Sequence, residues 1–265
     1  MSNTKIGFIG AGNMASAIIS GAISSGYIIS DQIYIYDINE TSISRLSECG
    51  VNVSIRIRDL CGCCEIIFLC VKPQVYDTVL PELAEYIGDN TIVSIAAGKT
   101  IAYVKQHLND STPVIRVMPN TPLLIGKGVT SICSSKEVKD ANFDMVTGLF
   151  SACGITIDID ENNFDIATAA GGSLPAFVYR FIGAAAAAAV DRGLSEIDAR
   201  RMICSTIVGA AELAGRSDNA IDDMIAMVAS PGGTTVAGLE ALNAHAFDKS
   251  VYDAVLAAYN RSKEL

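Results

Sequence analysis

Residues 10–15 read Gly-Ala-Gly-Asn-Met-Ala, and this stretch decides the fold. Its spacing, G-x-G-x-x-A, is typical of dinucleotide-binding proteins when it lies between a strand and a helix. The apolar run Ile6–Ile9 before it predicts a buried strand, and residues 14–25 after it have helical spacing. In such a turn the first glycine permits the bend, the second lets backbone approach a pyrophosphate, and the alanine allows close helix packing. The helix amino terminus then offers unpaired N–H groups to the anion.

One acidic residue follows the second predicted strand, Ile33–Tyr36. Asp37 lies 22 residues beyond Ala15, where a carboxylate accepts hydrogen bonds from the adenosine ribose and repels a 2′-phosphate. The sequence therefore predicts NAD(P)H as cofactor, with NADH favoured by Asp37. The nearby cation Arg45 would soften that preference if it reached the phosphate.

Strand and helix patterns alternate through the first 160 residues. Further strands are predicted at 66–71, 91–95 and 114–117, with shorter ones at 129–133 and 154–159, and helices at 40–49, 74–87 and 101–108. This alternation predicts an α/β fold with a Rossmann-type doubly wound parallel sheet. Three loops, at 71–73, 96–98 and 118–122, follow strands and thus fall at the ligand-binding edge of such a sheet.

From about residue 162 strand patterns disappear and alanine-rich helical stretches take over. We therefore predict two domains, a dinucleotide-binding domain over 1–160 and an all-helical domain over 161–265. The apolar faces of the helical half are extensive, which favours association with a second copy.

The helical half contains a second glycine-rich stretch, Ser230-Pro231-Gly232-Gly233-Thr234-Thr235, just before an apolar helical pattern. Its glycines would expose backbone N–H groups, its hydroxyls would cap the helix, and the positive end of the helix dipole favours a carboxylate there. A plain helix cap without a ligand is the alternative reading of the same residues.

Composition limits the partners that we expect. The formal charge is −10 and no lysine or arginine run occurs, which argues against nucleic acid and anionic membranes. No signal peptide is recognised, and the most apolar helical stretch, 184–190, is too short to span a bilayer. We expect a cytoplasmic protein with eight free cysteines and no metal, since the run 61–64 lacks a second C-x-x-C partner.

The order of motifs resembles the pyrroline-5-carboxylate reductase family over essentially the whole chain. The motifs are G-x-G-N-M at the start, then V-K-P, S-I-A-A-G, M-P-N-T-P, a Gly/Ser-Pro-Ala segment at 171–176, and S-P-G-G-T-T. The resemblance implies a Rossmann domain followed by a helical dimerisation domain that interlaces with its twin, in a homodimer that often assembles further. It also implies reduction of 1-pyrroline-5-carboxylate to L-proline by NAD(P)H, the last step of proline biosynthesis.

The resemblance also implies the site residues. The implied cofactor-binding residues are Gly10, Ala11, Gly12, Asn13, Met14, Ala15, Asp37, Cys70, Val71, Lys72, Pro73, Ala96, Ala97, Gly98 and Asn120. The implied substrate-binding residues are Glu161, Ser230, Gly232, Gly233, Thr234 and Thr235. Thr235 is our candidate catalytic residue, with its hydroxyl facing the ring nitrogen. An imine requires hydride alignment and support for protonation at nitrogen rather than a strong base.

Three positions depart from the family pattern. Leu174 is bulkier than the glycine or serine of many members and would narrow the pocket or repack the helix. Met227 and Ile57 stand where some relatives carry asparagine, and the loss of a polar contact at Ile57 fits relaxed recognition of NADPH.

Two other functions remain open from the sequence. A β-hydroxyacid dehydrogenase or imine reductase would share this layout, but such dehydrogenases place a lysine in the helical domain, and residues 162–246 contain none. A cofactor-sensing protein without catalysis is possible on the same fold, although the intact S-P-G-G-T-T stretch argues against it.

Overall fold

The computed structural model describes residues 3–265 of the chain. By its internal contacts the chain divides into two compact units, one of residues up to Ser173 together with Ala258–Leu265, the other Leu174–Ala257. This division lies later than the boundary that we predict near residue 160. The reason is that residues just after 160 belong with the sheet: Phe164, Thr168 and Ala169 are buried in the first unit.

The first unit is built on one sheet of eight strands. The strands are β1 (Ile6–Ile9), β2 (Ile33–Tyr36), β3 (Asn52–Val53), β4 (Ile66–Leu69), β5 (Thr91–Ser94), β6 (Val114–Met118), β7 (Gly128–Ser134) and β8 (Gly154–Asp158). Their order in the sheet is β3-β2-β1-β4-β5-β6-β7-β8. The order reverses between β1 and β4, the position at which open α/β sheets bind ligands.

All neighbouring strands are parallel except β6 and β7, which pair antiparallel. The exception has a local cause. The connection between these two strands is short and contains only the 3₁₀ turn Thr121–Ile125, whereas a parallel connection needs a crossover of a dozen residues or more. The predicted α/β fold with a doubly wound sheet is otherwise confirmed.

Helices cover both faces of the sheet. In the first unit they are α1 (Asn13–Ser24), α2 (Glu40–Ser47), α3 (Ile57–Cys63), α4 (Tyr76–Ala84), α5 (Ile101–His107), α6 (Asp140–Ser151) and α7 (Phe164–Ala167). Two apolar clusters result, one on each face. The rings of Phe8 and Phe68 stack at 4.7 Å in the first of them. Strands buried on both faces explain why β1 and β4 are apolar throughout.

The second unit is all-helical. It contains α8 (Leu174–Val190), α9 (Glu196–Arg216), α10 (Ile221–Val228), α11 (Thr234–Ala244) and most of α12 (Phe247–Ser262). Gly193, with φ +103°, ends the turn after α8, and the Ser195 hydroxyl accepts the Asp198 N–H at 3.1 Å to begin α9. Phe181 of α8 contacts Phe247 of α12 edge to face.

Within residues 3–265, one helical run is long and apolar enough to cross a membrane by length and composition alone. It is Glu161–Val190, with a mean hydropathy of 1.5 in its most apolar window. The sequence expectation rested on residues 184–190 and missed that α7, the turns beside it and α8 join into one run.

A π-helix, Thr168–Ser173, connects α7 to α8. Because of Pro175, one carbonyl of this π-helix takes its hydrogen bond from outside the helix. Proline has no N–H, so it cannot donate to the carbonyl of Gly171, four residues earlier. The side-chain amide of Asn120 donates to that carbonyl instead, at 3.0 Å. The amide oxygen of Asn120 accepts the Val129 N–H at 2.9 Å, so this one side chain ties the π-helix to β7.

We therefore expect Asn120→Ala to lower the free energy of unfolding by about 1 kcal/mol or more, because the Gly171 carbonyl and the Val129 N–H, both partly buried, lose their partner. Urea denaturation measures the effect. Asn219→Ala, at an exposed asparagine, is the control and should change stability little. Equal stability of the two variants would show that the Asn120 amide does not tie these segments together.

Candidate functional site

The first glycine turn closes against the end of a neighbouring strand. Gly10 has φ +100°, and a Cβ at this position would lie 2.6 Å from the carbonyl oxygen of Cys70. The Gly10 N–H donates to the carbonyl of Tyr36 at 2.7 Å, and the Cys70 N–H donates to that of Ile9 at 2.7 Å. Only glycine fits at position 10 without moving the backbone.

Gly12 is the residue that precedes α1, and its surroundings differ from those of Gly10. A Cβ there would meet nothing within 4 Å, and no side chain caps the helix. The first amides of α1, a helix of 12 residues, therefore face open space with the positive end of the dipole behind them. Ala15 is fully buried, as close helix packing requires. These residues fit the pyrophosphate of a dinucleotide.

Asp37 and Arg45 both bind Ala11 in this turn. Asp37 accepts its N–H, and Arg45 donates to its carbonyl. The Asp37 carboxylate accepts the Ala11 N–H at 2.6 Å and the Asn39 N–H at 2.9 Å. The Arg45 guanidinium donates to the Ala11 carbonyl at 3.3 Å and to the Ser16 hydroxyl at 2.8 Å. A carboxylate and a guanidinium thus both lie beside the glycine turn, where the adenosine end of a dinucleotide would come.

The remaining predicted cofactor residues follow parallel strands. Cys70 to Pro73 come after β4, Ala96 to Gly98 after β5, and Asn120 after β6. Since β1, β2, β4, β5 and β6 are parallel to one another, all these residues lie at the same edge of the sheet as the glycine turn. Burial raises the pKa of the Cys70 thiol, so this group is uncharged and is not a nucleophile at neutral pH.

Two of the predicted site residues, Asn120 and Glu161, form side-chain hydrogen bonds to other residues of the first unit. The Asn120 side-chain amide ties the π-helix to β7, and the Asn120 carbonyl accepts the Leu123 N–H at 3.2 Å. The Glu161 carboxylate accepts the Ile101 N–H at 2.7 Å and pairs with Arg116 at 3.1 Å. Sequence reasoning missed Arg116, although a single arginine in the apolar strand Val114–Met118 signals a buried charge that needs a partner.

The predicted substrate residues Ser230 and Gly232–Thr235 lie together in the helical unit. Gly233 caps α11, a helix of 11 residues, with no side-chain cap. Gly232 has φ +71°, and the Gly233 N–H donates to the Ser230 carbonyl at 2.9 Å. Thr234 and Thr235 are the first residues inside the helix, so the prediction that their hydroxyls cap it is wrong. The first amides of α11 stay available to a carboxylate.

The three departures from the family pattern are placed as follows. Ile57 begins α3 and is 1% exposed within the core, so its side chain supports packing. Met227 and Leu174 are 76% and 38% exposed. No group of three or more histidine, cysteine or acidic side chains suited to a metal occurs among the described residues.

The fold and the first glycine turn define a class, the NAD(P)H-dependent oxidoreductases. The doubly wound sheet, the uncapped amides of α1 and the acidic residue after β2 are the parts that such a cofactor needs. A model of the family "NADP oxidoreductase coenzyme F420-dependent" matches residues 5–98.

Comparison with known proteins identifies the family. A model of pyrroline-5-carboxylate reductase dimerisation matches residues 161–265. Pyrroline-5-carboxylate reductase 3 of Danio rerio is 36% identical over 98% of this chain and 91% of its own length. The Escherichia coli K12 pyrroline-5-carboxylate reductase is 34% identical over 98% of both chains. The chain belongs to the pyrroline-5-carboxylate reductase family.

Solved structures agree with this family. The crystal structure of Plasmodium falciparum pyrroline carboxylate reductase with NADP bound has a TM-score of 0.92 and 33% identity, covering 100% of this chain and 98% of that one. The Streptococcus pyogenes enzyme has a TM-score of 0.91 and 32% identity, covering both chains completely. A prephenate dehydrogenase from A. aeolicus, at 14% identity and a TM-score of 0.53, shares the fold alone.

The open space at Gly12 generates a prediction. We expect Gly12→Ala to fold normally, because its Cβ meets no protein atom, and to weaken the binding of NADH at least about tenfold, or 1.4 kcal/mol, because the Cβ occupies the pyrophosphate position. Titration of NADH fluorescence measures the dissociation constant.

Gly62→Ala is the matched control, since a Cβ at Gly62 in α3 also meets nothing within 4 Å. Wild-type affinity for NADH in both variants would mean that Gly12 does not face the cofactor.

Proposed function

We propose that this protein transfers a hydride from NAD(P)H to the ring C=N carbon of 1-pyrroline-5-carboxylate and releases L-proline, as the last step of proline biosynthesis. Membership of the family supports the proposal. The observation that carries it here is the amino terminus of α11, which no side chain caps, so that the first amides of the helix, at Thr234 and Thr235, suit a small carboxylate. The relatives reported above are pyrroline-5-carboxylate reductases, which favours this substrate over that of an imine reductase. Turnover with the imine would exclude the cofactor-sensing alternative.

The reaction requires little acid–base catalysis by side chains of the protein. When bound, NAD(P)H would supply the hydride to the ring carbon. The electron pair of the C=N bond would move to nitrogen, which would take one proton. In the proposal the amides of Gly232, Thr234 and Thr235, together with Ser230, hold the substrate carboxylate, while the Gly233 N–H keeps the turn closed on the Ser230 carbonyl. The Thr235 hydroxyl faces the ring nitrogen, orients it and passes on a proton from water. The dinucleotide would be held by the predicted cofactor-binding residues, which are Gly10 to Ala15, Asp37, Cys70 to Pro73, Ala96 to Gly98 and Asn120.

The first test concerns Thr235. We expect purified protein to oxidise NADH when the imine is added, and Thr235→Ala to lose about 100-fold in kcat, the usual contribution of a positioned proton-transfer group, while binding NADH normally. Thr235→Ser, which keeps the hydroxyl, is the control and should retain most of the rate. If the wild-type protein consumes neither NADH nor NADPH with this imine, the substrate is another compound.

We further propose that NADH is the preferred cofactor because of Asp37. The carboxylate, held by the Ala11 and Asn39 amides, would accept hydrogen bonds from the ribose hydroxyls and repel a 2′-phosphate. Arg45 opposes this preference, since its guanidinium lies on the carbonyl side of Ala11 and attracts a phosphate. The preference is therefore a balance between these two charges.

The cofactor preference is tested by replacing the Asp37 carboxylate with a neutral side chain. We expect Asp37→Ser to move the ratio of kcat/KM values for NADPH over NADH upward by about tenfold, equivalent to 1.4 kcal/mol, because the repulsion of the phosphate is removed. Asp31→Ser, at an exposed carboxylate before β2, makes the same charge change away from the turn and should leave the ratio unaltered. An unaltered ratio in both variants would make Asp37 a purely structural residue.

We propose that the protein works in the cytoplasm as a homodimer or a larger assembly of dimers. The family of its helical half supports self-association. So does the exposure of large apolar side chains on α8 and α9, such as Tyr179 at 61% and Leu213 at 67%, because soluble proteins rarely leave large apolar patches uncovered. A second copy on these faces also accounts for the apolar character of Glu161–Val190.

A further inference from the structure

The loop between β5 and α5, residues 96–100, carries three of the proposed cofactor residues, and it is held at two points. Gly98 has φ +75°, and a Cβ there would lie 2.6 Å from the carbonyl carbon of Leu265, so the loop lies directly against the last residues of the chain. At its other end, the N–H of Ile101, the first residue of α5, donates to the Glu161 carboxylate at 2.7 Å.

Glu161 is itself held by a buried cation. Arg116 of β6, whose side chain is 5% exposed, pairs with the same carboxylate oxygen at 3.1 Å. The guanidinium lies 4.5 Å from the centre of the Phe164 ring, which limits its movement. A buried guanidinium that lost its carboxylate would be strongly unfavourable, so the pair fixes the position of the Glu161 oxygen that accepts the Ile101 N–H.

The carboxyl-terminal residues of the chain also lie beside loop 96–100 and Glu161. The Ser262 hydroxyl donates to the Asp165 carboxylate at 2.7 Å, and Ser262 is buried. A polar cleft of about 260 Å³ lies between Gly98, Arg116, Glu161 and Ser262. Every contact of Glu161 named here lies in the first unit, with the dinucleotide-binding sheet, whereas Ser230–Thr235 lie in the other unit.

We infer that Glu161 is a positioning residue that holds loop 96–100 against the nicotinamide, and that it is not a ligand of the substrate. The inference rests on the proposed function for the identity of the cofactor. Its physical basis is that one carboxylate oxygen serves both the loop amide and the buried Arg116, which leaves its charge compensated within the protein. A loop displaced by even about 1 Å reduces the rate of a reaction that depends on alignment by about 100-fold.

The experiment compares three variants by their binding of NADH without the imine, their kcat and KM, and the primary deuterium isotope effect with deuterated NADH. In Glu161→Ala we expect weaker NADH binding, at least about a tenfold fall in kcat and a changed isotope effect, with the KM for the imine little altered. Glu161→Gln keeps an acceptor for the Ile101 N–H and should recover most of kcat and of the NADH affinity.

The third variant separates positioning from stability. Arg116→Met combined with Glu161→Ala removes the unpaired buried charge, so its melting temperature should recover, while kcat and NADH affinity stay low because the Ile101 amide still lacks its acceptor. Glu137→Ala is the matched control. It breaks an ion pair that anchors α5 elsewhere, Lys105–Glu137 at 2.6 Å, outside the proposed site, and should leave NADH binding and the isotope effect unchanged.

Three results would overturn the inference. A raised KM for the imine in Glu161→Ala with unchanged NADH binding would make the carboxylate a substrate ligand. Full recovery of kcat in the double variant would reduce its role to stability. Unchanged NADH affinity in Glu161→Ala would show that it does not hold the loop, and this measurement needs no imine, so it stands even if the proposed substrate is wrong.

Discussion

The approach of the Gly10 backbone to the carbonyl oxygen of Cys70 is the contact on which the rest of this structure depends. It occurs where the strand order reverses, between β1 and β4, and it leaves no room for a side chain. Because the chain turns there so tightly, α1 begins at once, with its first amides uncapped. The same turn brings the Ala11 amide to Asp37, so the acidic residue and the anion-binding helix are positioned together.

Each of the two units contains a helix whose amino terminus follows a glycine and is not capped by a side chain. In both, a glycine that offers no capping side chain precedes a helix of eleven or twelve residues, and the first amides of that helix together with its dipole would suit an anion. In the sheet unit the site suits a pyrophosphate, and in the helical unit it suits a small carboxylate. A reaction between a dinucleotide and an anionic imine thus needs two anion sites and little further chemistry from side chains.

Two polar residues of the predicted binding sites also have structural partners in the protein. Asn120 repairs the gap in hydrogen bonding that Pro175 creates at Gly171, and Glu161 compensates Arg116 while holding the Ile101 amide. Both positions came from the resemblance as binding residues. Each satisfies a polar group of the protein, because a partly buried carbonyl without a donor, or a buried guanidinium without a carboxylate, is unfavourable.

Local patterns determined much of this protein. The first glycine turn, the strands β1 and β2, the alternation of strands with helices and the glycine-rich start of α11 are all readable from neighbouring residues, because turn geometry and apolar periodicity are local properties. Tertiary structure alone decided the antiparallel pairing of β6 with β7, the two-residue strand β3, the partner of Arg116, and the return of the last residues to the first unit. Each of these depends on contacts between segments distant in sequence, whose energies no local pattern contains.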